Sequence, residues 1–122
     1  MGSPVVHFEI NGRDGKKLHD FYSRLFGWKI DAGNPMNYGL VETDSGGHGI
    51  NGGIGQSDQG NQVTFYVEVA DPQAALNQIE GLGGRTIVPV TVIPNMVTFA
   101  QFADPEGNVV GLVKSEPIGG AA

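Results

Sequence analysis

The chain has no cysteine in its 122 residues. That absence excludes disulfides, zinc–thiolate sites, iron–sulfur clusters and cysteine nucleophiles. Cations are scarce as well. Seven Lys and Arg stand against thirteen Asp and Glu, for a net charge of −6. The only adjacent basic pair is Lys16-Lys17. No basic patch can release counterions from nucleic acid or hold an anionic membrane, so neither is an expected partner. No apolar run approaches the roughly 20 residues that a membrane span needs. The opening MGSPVVHFEI lacks the charged and apolar regions of a signal peptide. A cytoplasmic protein is the expectation. The serines at 3, 23, 45, 57 and 115 lie on no nucleophile-elbow sequence. The Gly-rich stretch 46–55 lacks the Gly-Lys step and the following helix of a phosphate loop.

What is present is a repeat. Asp14 and Asp71, Tyr22 and Ile79, Leu25 and Leu82, and Gly27 and Gly84 stand at one constant offset of 57 residues. In the first copy, Val6, Phe8 and Ile10 alternate with Val5, His7 and Glu9, the pattern of a half-buried strand. Asn11-Gly12 signals a turn and Asp14 a helix N-cap. Leu18, Phe21, Tyr22, Leu25 and Phe26 form an amphipathic helix stripe, and Gly27 ends it. Strands are expected at 28–30 and 38–43, with a fourth near His48 to Ile54 in glycine-rich sequence.

The second copy reads the same way. Val63, Phe65, Val67 and Val69 alternate with Thr64, Tyr66 and Glu68. Asp71-Pro72 gives an N-cap with proline in the first turn, and Ala75, Ile79 and Leu82 make the stripe before Gly83-Gly84. Strands follow at 86–90, 97–103 and 109–114, separated by Pro94-Asn95 and by the turn Asp104 to Asn108. The proline-flanked run Val88 to Pro94 fits an edge strand or the lip of a cavity. The tail Gly119 to Ala122 reads as disordered.

The expected fold is α+β. Two tandem βαβββ modules, 4–56 and 61–115, each carry one helix and form curved mixed sheets around a cavity, all within one 122-residue domain. In each module one strand face is apolar and meets the helix. The other holds His7 and Glu9, or Thr64, Tyr66 and Glu68. Polar residues at several positions of a sheet face suit a ligand cavity better than a core.

The phrases VVHFEI, FYSRLFGW, FYVEVADPQAAL, GLGGRTIVPV and FADPEGNVVGL, spread over residues 4 to 114, resemble the glyoxalase and bleomycin-resistance branch of the vicinal-oxygen-chelate superfamily. The resemblance implies paired βαβββ modules, a homodimer, and a cavity for a small molecule. In metal-using members it implies ligands from the first and last strand of each module. Here those positions carry His7, Thr64, the Asn51-Gly52-Gly53 stretch and Gly111, so one of four expected ligands is present. A lone imidazole does not hold a hard divalent ion against water. No metal residue and no cofactor is predicted. A divalent ion stays open as an alternative using Glu9, Glu68, His48 or Gln101 as substitute donors.

Two functions follow. The first is a binding protein that holds an apolar or aromatic ligand without metal, lined by Tyr38, His48, Thr64, Tyr66, Met96, Phe99 and Gln101. The alternative is a lyase, isomerase or epimerase that moves protons with His7 and Glu9 or Glu68, with or without a metal. Beside these stand plainer roles: His7 as a satisfied sheet histidine, Glu9 and Glu68 as solvated strand ends, His48 as a surface-loop residue, and the aromatics as core. His19 is expected on the solvent side of its helix and Trp28 at a packed sheet edge.

Overall fold

The two aspartates at the repeat offset set the frame. In the computed structural model, which describes residues 2–43 and 46–115, Asp14 and Asp71 both adopt extended backbone and cap a helix. Their side chains accept from the N–H of Lys17 and of Ala74, which satisfies a donor left open at the first helical turn. The helices are α1 (Gly15–Phe26) and α2 (Pro72–Gly81). Gly27 ends α1 in the left-handed conformation at φ 70°, which glycine adopts without steric cost.

The strands before the helices are β1 (Val5–Gly12) and β5 (Gln62–Val69), so the 57-residue offset holds at both ends of the strand. The first module continues with β2 (Lys29–Asp31), β3 (Gly39–Glu42) and β4 (Gly52–Gln56), and the second with β6 (Arg85–Ile93), β7 (Val97–Ala103) and β8 (Val109–Lys114). Each module orders its strands alike. β1 pairs parallel with β4, and β4, β3 and β2 follow antiparallel. β5 pairs parallel with β8, and β8, β7 and β6 follow antiparallel. The fold is thus α+β, built from two βαβββ modules with one helix each. The chain forms two compact units, Val6–Phe65 and a second that joins the residues up to Val5 to those from Tyr66 onward. The N-terminal segment is tied to that second unit by the Glu68 N–H donating to the Pro4 carbonyl.

Each core is small. In the second unit Leu76, Ala100 and Leu112 are buried, with Val67, Val69, Ala75, Ile79, Val90 and Phe102 packed round them. Burying a leucine of this kind stabilises by about 2–3 kcal/mol. Leu76, absent from the expected stripe, is the α2 anchor at 2% exposure, whereas Leu82 caps the helix at 71% exposure. The stripe stops short because α2 ends at Gly81. In the first unit Val41 and Ile54 are buried. Trp28 stacks on Tyr22 at 5.5 Å and 12° and meets Phe8 at 5.5 Å, so it packs between helix and sheet. The stripe of α1 exceeds the sheet beneath it: Phe21, Leu25 and Phe26 are all more than half exposed.

Two further local readings change, and the edge-strand reading of the proline-flanked run holds. His19 is half-buried, and its Nε2 donates to the Ile54 carbonyl at 2.8 Å. The helix face above β4 is open enough for an imidazole because Gly39 leaves it room. The glycine-rich strand begins at Gly52, and residues 48–51 are bend and coil. The proline-flanked run lies in β6, which pairs only with β7 among the described residues; register shifts around Val88 accommodate Pro89. The tail 119–122 lies outside the described residues.

Candidate functional site

Glycine in β4 and β8 decides what the non-helical sheet faces look like. Cross-strand registers put Glu9, Gly53, Leu40 and Asp31 in one row of the first unit. Gly53 offers no side chain there, and the Tyr38 ring takes the space instead. A Cβ at Gly53 would fall on the Tyr38 phenol, and one at Gly55 would stand 3.1 Å from the same ring. An aromatic ring laid over a strand glycine restores the packing that the glycine forgoes. On the opposite face, Gly52 is covered by Phe8 in the same manner.

Tyr38 is held at both ends. Asn34 accepts from its backbone N–H at 3.0 Å and donates to its carbonyl at 2.7 Å. Asn37, just before it, sits at φ 52°, a conformation that asparagine tolerates better than most residues. At the ring's far end the phenol donates to Glu9 Oε2 at 2.9 Å and lies 3.0 Å from His7 Nε2. A phenol has one proton. With that proton on Glu9, His7 supplies the hydrogen of the other bond and carries its own on Nε2. Asn11 Nδ2 donates to the second oxygen of Glu9 at 2.9 Å. The result is a directed chain from His7 through Tyr38 to Glu9. Burial lowers the pKa of His7 from its ordinary value, and the nearby Glu9 charge opposes that shift in part. The imidazole is therefore neutral at pH 7.

A cleft of about 480 Å³ opens beside this chain. His7, Lys29, Asp31, Leu40, Glu42 and Asn51 line it, with Ile30, Val41 and Gly52. Of these, His7 is a candidate from sequence and Asn51 and Gly52 lie in the stretch where a ligand is expected; Lys29, Asp31, Leu40 and Glu42 are not singled out there. A signal did exist: Lys29 and Asp31 alternate about Ile30, as Leu40 and Glu42 do about Val41. A three-residue and a four-residue strand are too short for that alternation to stand out.

The second unit holds a cluster of its own. Tyr66 is buried, and a Cβ at Gly111 would fall on its ring. Gln101 Nε2 donates to its hydroxyl at 2.9 Å, and Phe99 meets it edge-on at 6.5 Å. So three sequence candidates, Tyr66, Phe99 and Gln101, come together here. Met96 is exposed in the turn before β7, and Glu68 is half-buried near the end of β5. Thr64 is buried at 5% exposure in the first unit's part of β5, and its hydroxyl donates to the Phe65 carbonyl at 3.4 Å. His48 is exposed in the bend before β4 and does not line the cleft.

The model of the Glyoxalase/Bleomycin resistance protein/Dioxygenase superfamily matches residues 5–112. The chain belongs to this family. No curated protein matches it. Among solved structures it is similar to methylmalonyl-CoA epimerase from Mycobacterium tuberculosis, at 14% identity and a TM-score of 0.63, covering 97% of this chain and 91% of that one. A superfamily member from Vibrio splendidus 12B01 gives 15% identity and a TM-score of 0.64 over 93% of this chain and 100% of that one. A hypothetical protein from Bacillus halodurans C-125 gives 11% and 0.68 over 98% and 99%. At such identities the likeness is one of fold.

The positions at which metal-using relatives are expected to place ligands do not suit an ion here. His7 is the one donor of the expected kind. A carboxylate grown from Gly53 or Gly111 would have to displace Tyr38 or Tyr66. Among the described residues no three of His, Cys, Asp and Glu gather closely enough to hold a metal ion. Nor is any helix among them long and apolar enough to cross a membrane.

Proposed function

We propose that this family member is a small-molecule-binding protein that holds an apolar or aromatic ligand without a metal. The observation that carries this reading is the cover of tyrosine over glycine. Where a metalloenzyme of the family would project a carboxylate, Gly53 and Gly111 lie under aromatic rings. Beside His7 lies a cleft large enough for a one- or two-ring compound, with Leu40 as its exposed apolar side chain. The test is a thermal-shift and calorimetric screen of untagged protein. Neutral aromatic compounds should raise the melting temperature by mass action. Mn²⁺, Ni²⁺, Zn²⁺ and Fe²⁺ should not, with or without chelator. Stoichiometric metal with chelator-sensitive stabilisation would overturn the reading. The proposed setting is a cytoplasmic homodimer; a stable monomer at micromolar concentration in sedimentation would remove the dimer.

A second reading has its own observation, the chain His7–Tyr38–Glu9. A neutral imidazole linked through a phenol to a carboxylate can take a proton and have its charge balanced across the chain. That would suit an epimerase-type or isomerase-type proton transfer next to a carbonyl. The epimerases of similar fold act on methylmalonyl-CoA by name, an anion, whereas this cleft carries Asp31 and Glu42. Exchange of α-hydrogens into D₂O, followed by NMR over a panel of neutral carbonyl compounds, tests it. Exchange that survives His7→Ala sinks the proposed role of His7.

A further inference from the structure

The apolar part of the 480 Å³ cleft is flanked by charge of predominantly one sign. Asp31 and Leu40 are cross-strand partners, as are Lys29 and Glu42. Two carboxylates and one ammonium thus stand round the exposed Leu40 side chain, while Val41 between Leu40 and Glu42 turns to the buried face. Lys29 forms no ion pair within 4.0 Å among the described residues, where the only such pair is Arg24–Asp20. Asp31 Oδ1 accepts from the Gly33 N–H at 2.9 Å, which orients that carboxylate without neutralising it. Glu9, joined to the adjoining chain, adds a third negative charge nearby. His7 is neutral at pH 7 and opposes none of them. The whole chain, at −6, adds a field of the same sign.

We infer that the cleft takes a cationic amphiphile: an apolar or aromatic body against Leu40, and an ammonium or amidinium group between Asp31 and Glu42. This inference rests on the binding reading and gives it a substrate class. The cleft supplies the site, and the charges supply the selection. A carboxylate, phosphate or thioester of an acidic carrier meets like charge here and is rejected.

The test uses three probes of nearly equal shape: phenethylammonium, 2-phenylethanol and phenylacetate. Each is titrated into the full chain at pH 7 by calorimetry and by NMR. The cation should bind on the order of fivefold to tenfold tighter than the alcohol, and the acid weakest, because one excess unit charge a few ångströms away at a wet surface is worth about that factor. Raising salt to about 0.5 M should collapse the ratio and leave the alcohol unaffected. Glu42→Gln with Asp31→Asn should bring the cation to the level of the alcohol. Lys29→Gln should move it the other way, to tighter binding. Equal binding of cation and alcohol by the wild type would overturn the inference and leave the binding reading intact. So would a ratio unchanged in the double variant. If none of the three probes binds, the binding reading beneath it fails.

Discussion

Replacing Gly53 with alanine tests the tyrosine-over-glycine arrangement at its most crowded point. The new methyl group falls on the Tyr38 phenol, so the ring must leave. Displacing a packed ring costs about 1–3 kcal/mol. The phenol then loses its bond to the Glu9 carboxylate and its contact with His7, and a hydrogen bond to a charged group contributes about 1.5–3 kcal/mol. Alanine returns up to about 1 kcal/mol by restricting the unfolded chain. The net expectation is a loss of roughly 2–5 kcal/mol. Urea unfolding read by Trp28, the chain's single tryptophan, measures it. The decisive form is a double-mutant cycle. In a Tyr38→Ala background the ring that the methyl would strike is gone, so Gly53→Ala should become neutral within about 0.5 kcal/mol. Gly81→Ala is the control, since a Cβ there meets nothing within 4 Å; it should be neutral or slightly stabilising. If Gly53→Ala costs the same in both backgrounds, the glycine serves some purpose other than admitting Tyr38.

Three other expectations follow from single features. Burial holds the His7 pKa below its ordinary 6.5, so the folded chain binds that proton less readily than the unfolded one. Stability should therefore rise with pH between the lowered folded value and about 6.5 and fall on acidification through that window, and His7→Gln should flatten the slope in urea titrations at stepped pH. Asp14→Ala and Asp71→Ala each remove an N-cap bond and should each cost about 1 kcal/mol by chemical denaturation; a loss at one site alone would show that the two helices are not capped equivalently. His19→Ala leaves the Ile54 carbonyl without its imidazole donor and should destabilise by about 1–3 kcal/mol, where an exposed helix histidine would cost almost nothing.

Much of the fold was legible because it rests on local chemistry. Asp14 and Asp71 cap helices for reasons contained within four residues, and the repeat sets β1 and β5 at one offset. Alternation in β1 correctly put His7 and Glu9 on one face, and their joint contact with Tyr38 bears this out. The site was less legible. Tyr38 reaches Glu9 across 29 residues, and its ring position depends on glycines that read as a loop signal. The cleft's Lys29, Asp31 and Glu42 lie on strands of three and four residues, too short to declare a face. His19 was misread because a polar residue on a helix normally points to water; here a glycine in the neighbouring strand makes room for it.

The two modules solve one packing problem from different places, and this explains why their polar faces differ. Both lay a tyrosine over a glycine of the last strand. In the second module that tyrosine is Tyr66, which belongs to the first strand and stands at the repeat position of Glu9. By covering Gly111 from there it occupies the place of a carboxylate, and its hydroxyl is bonded by Gln101. In the first module the tyrosine arrives from the turn before β3 instead, positioned by Asn34. The first strand therefore keeps both His7 and Glu9, and the incoming phenol joins them. A titratable hydrogen-bond chain is thus built on one copy of the duplicated unit, and it lies on the unit whose cleft carries the charges. Moving a tyrosine between two positions that cover equivalent glycines is enough to separate a face with acid–base capacity from one filled by packing.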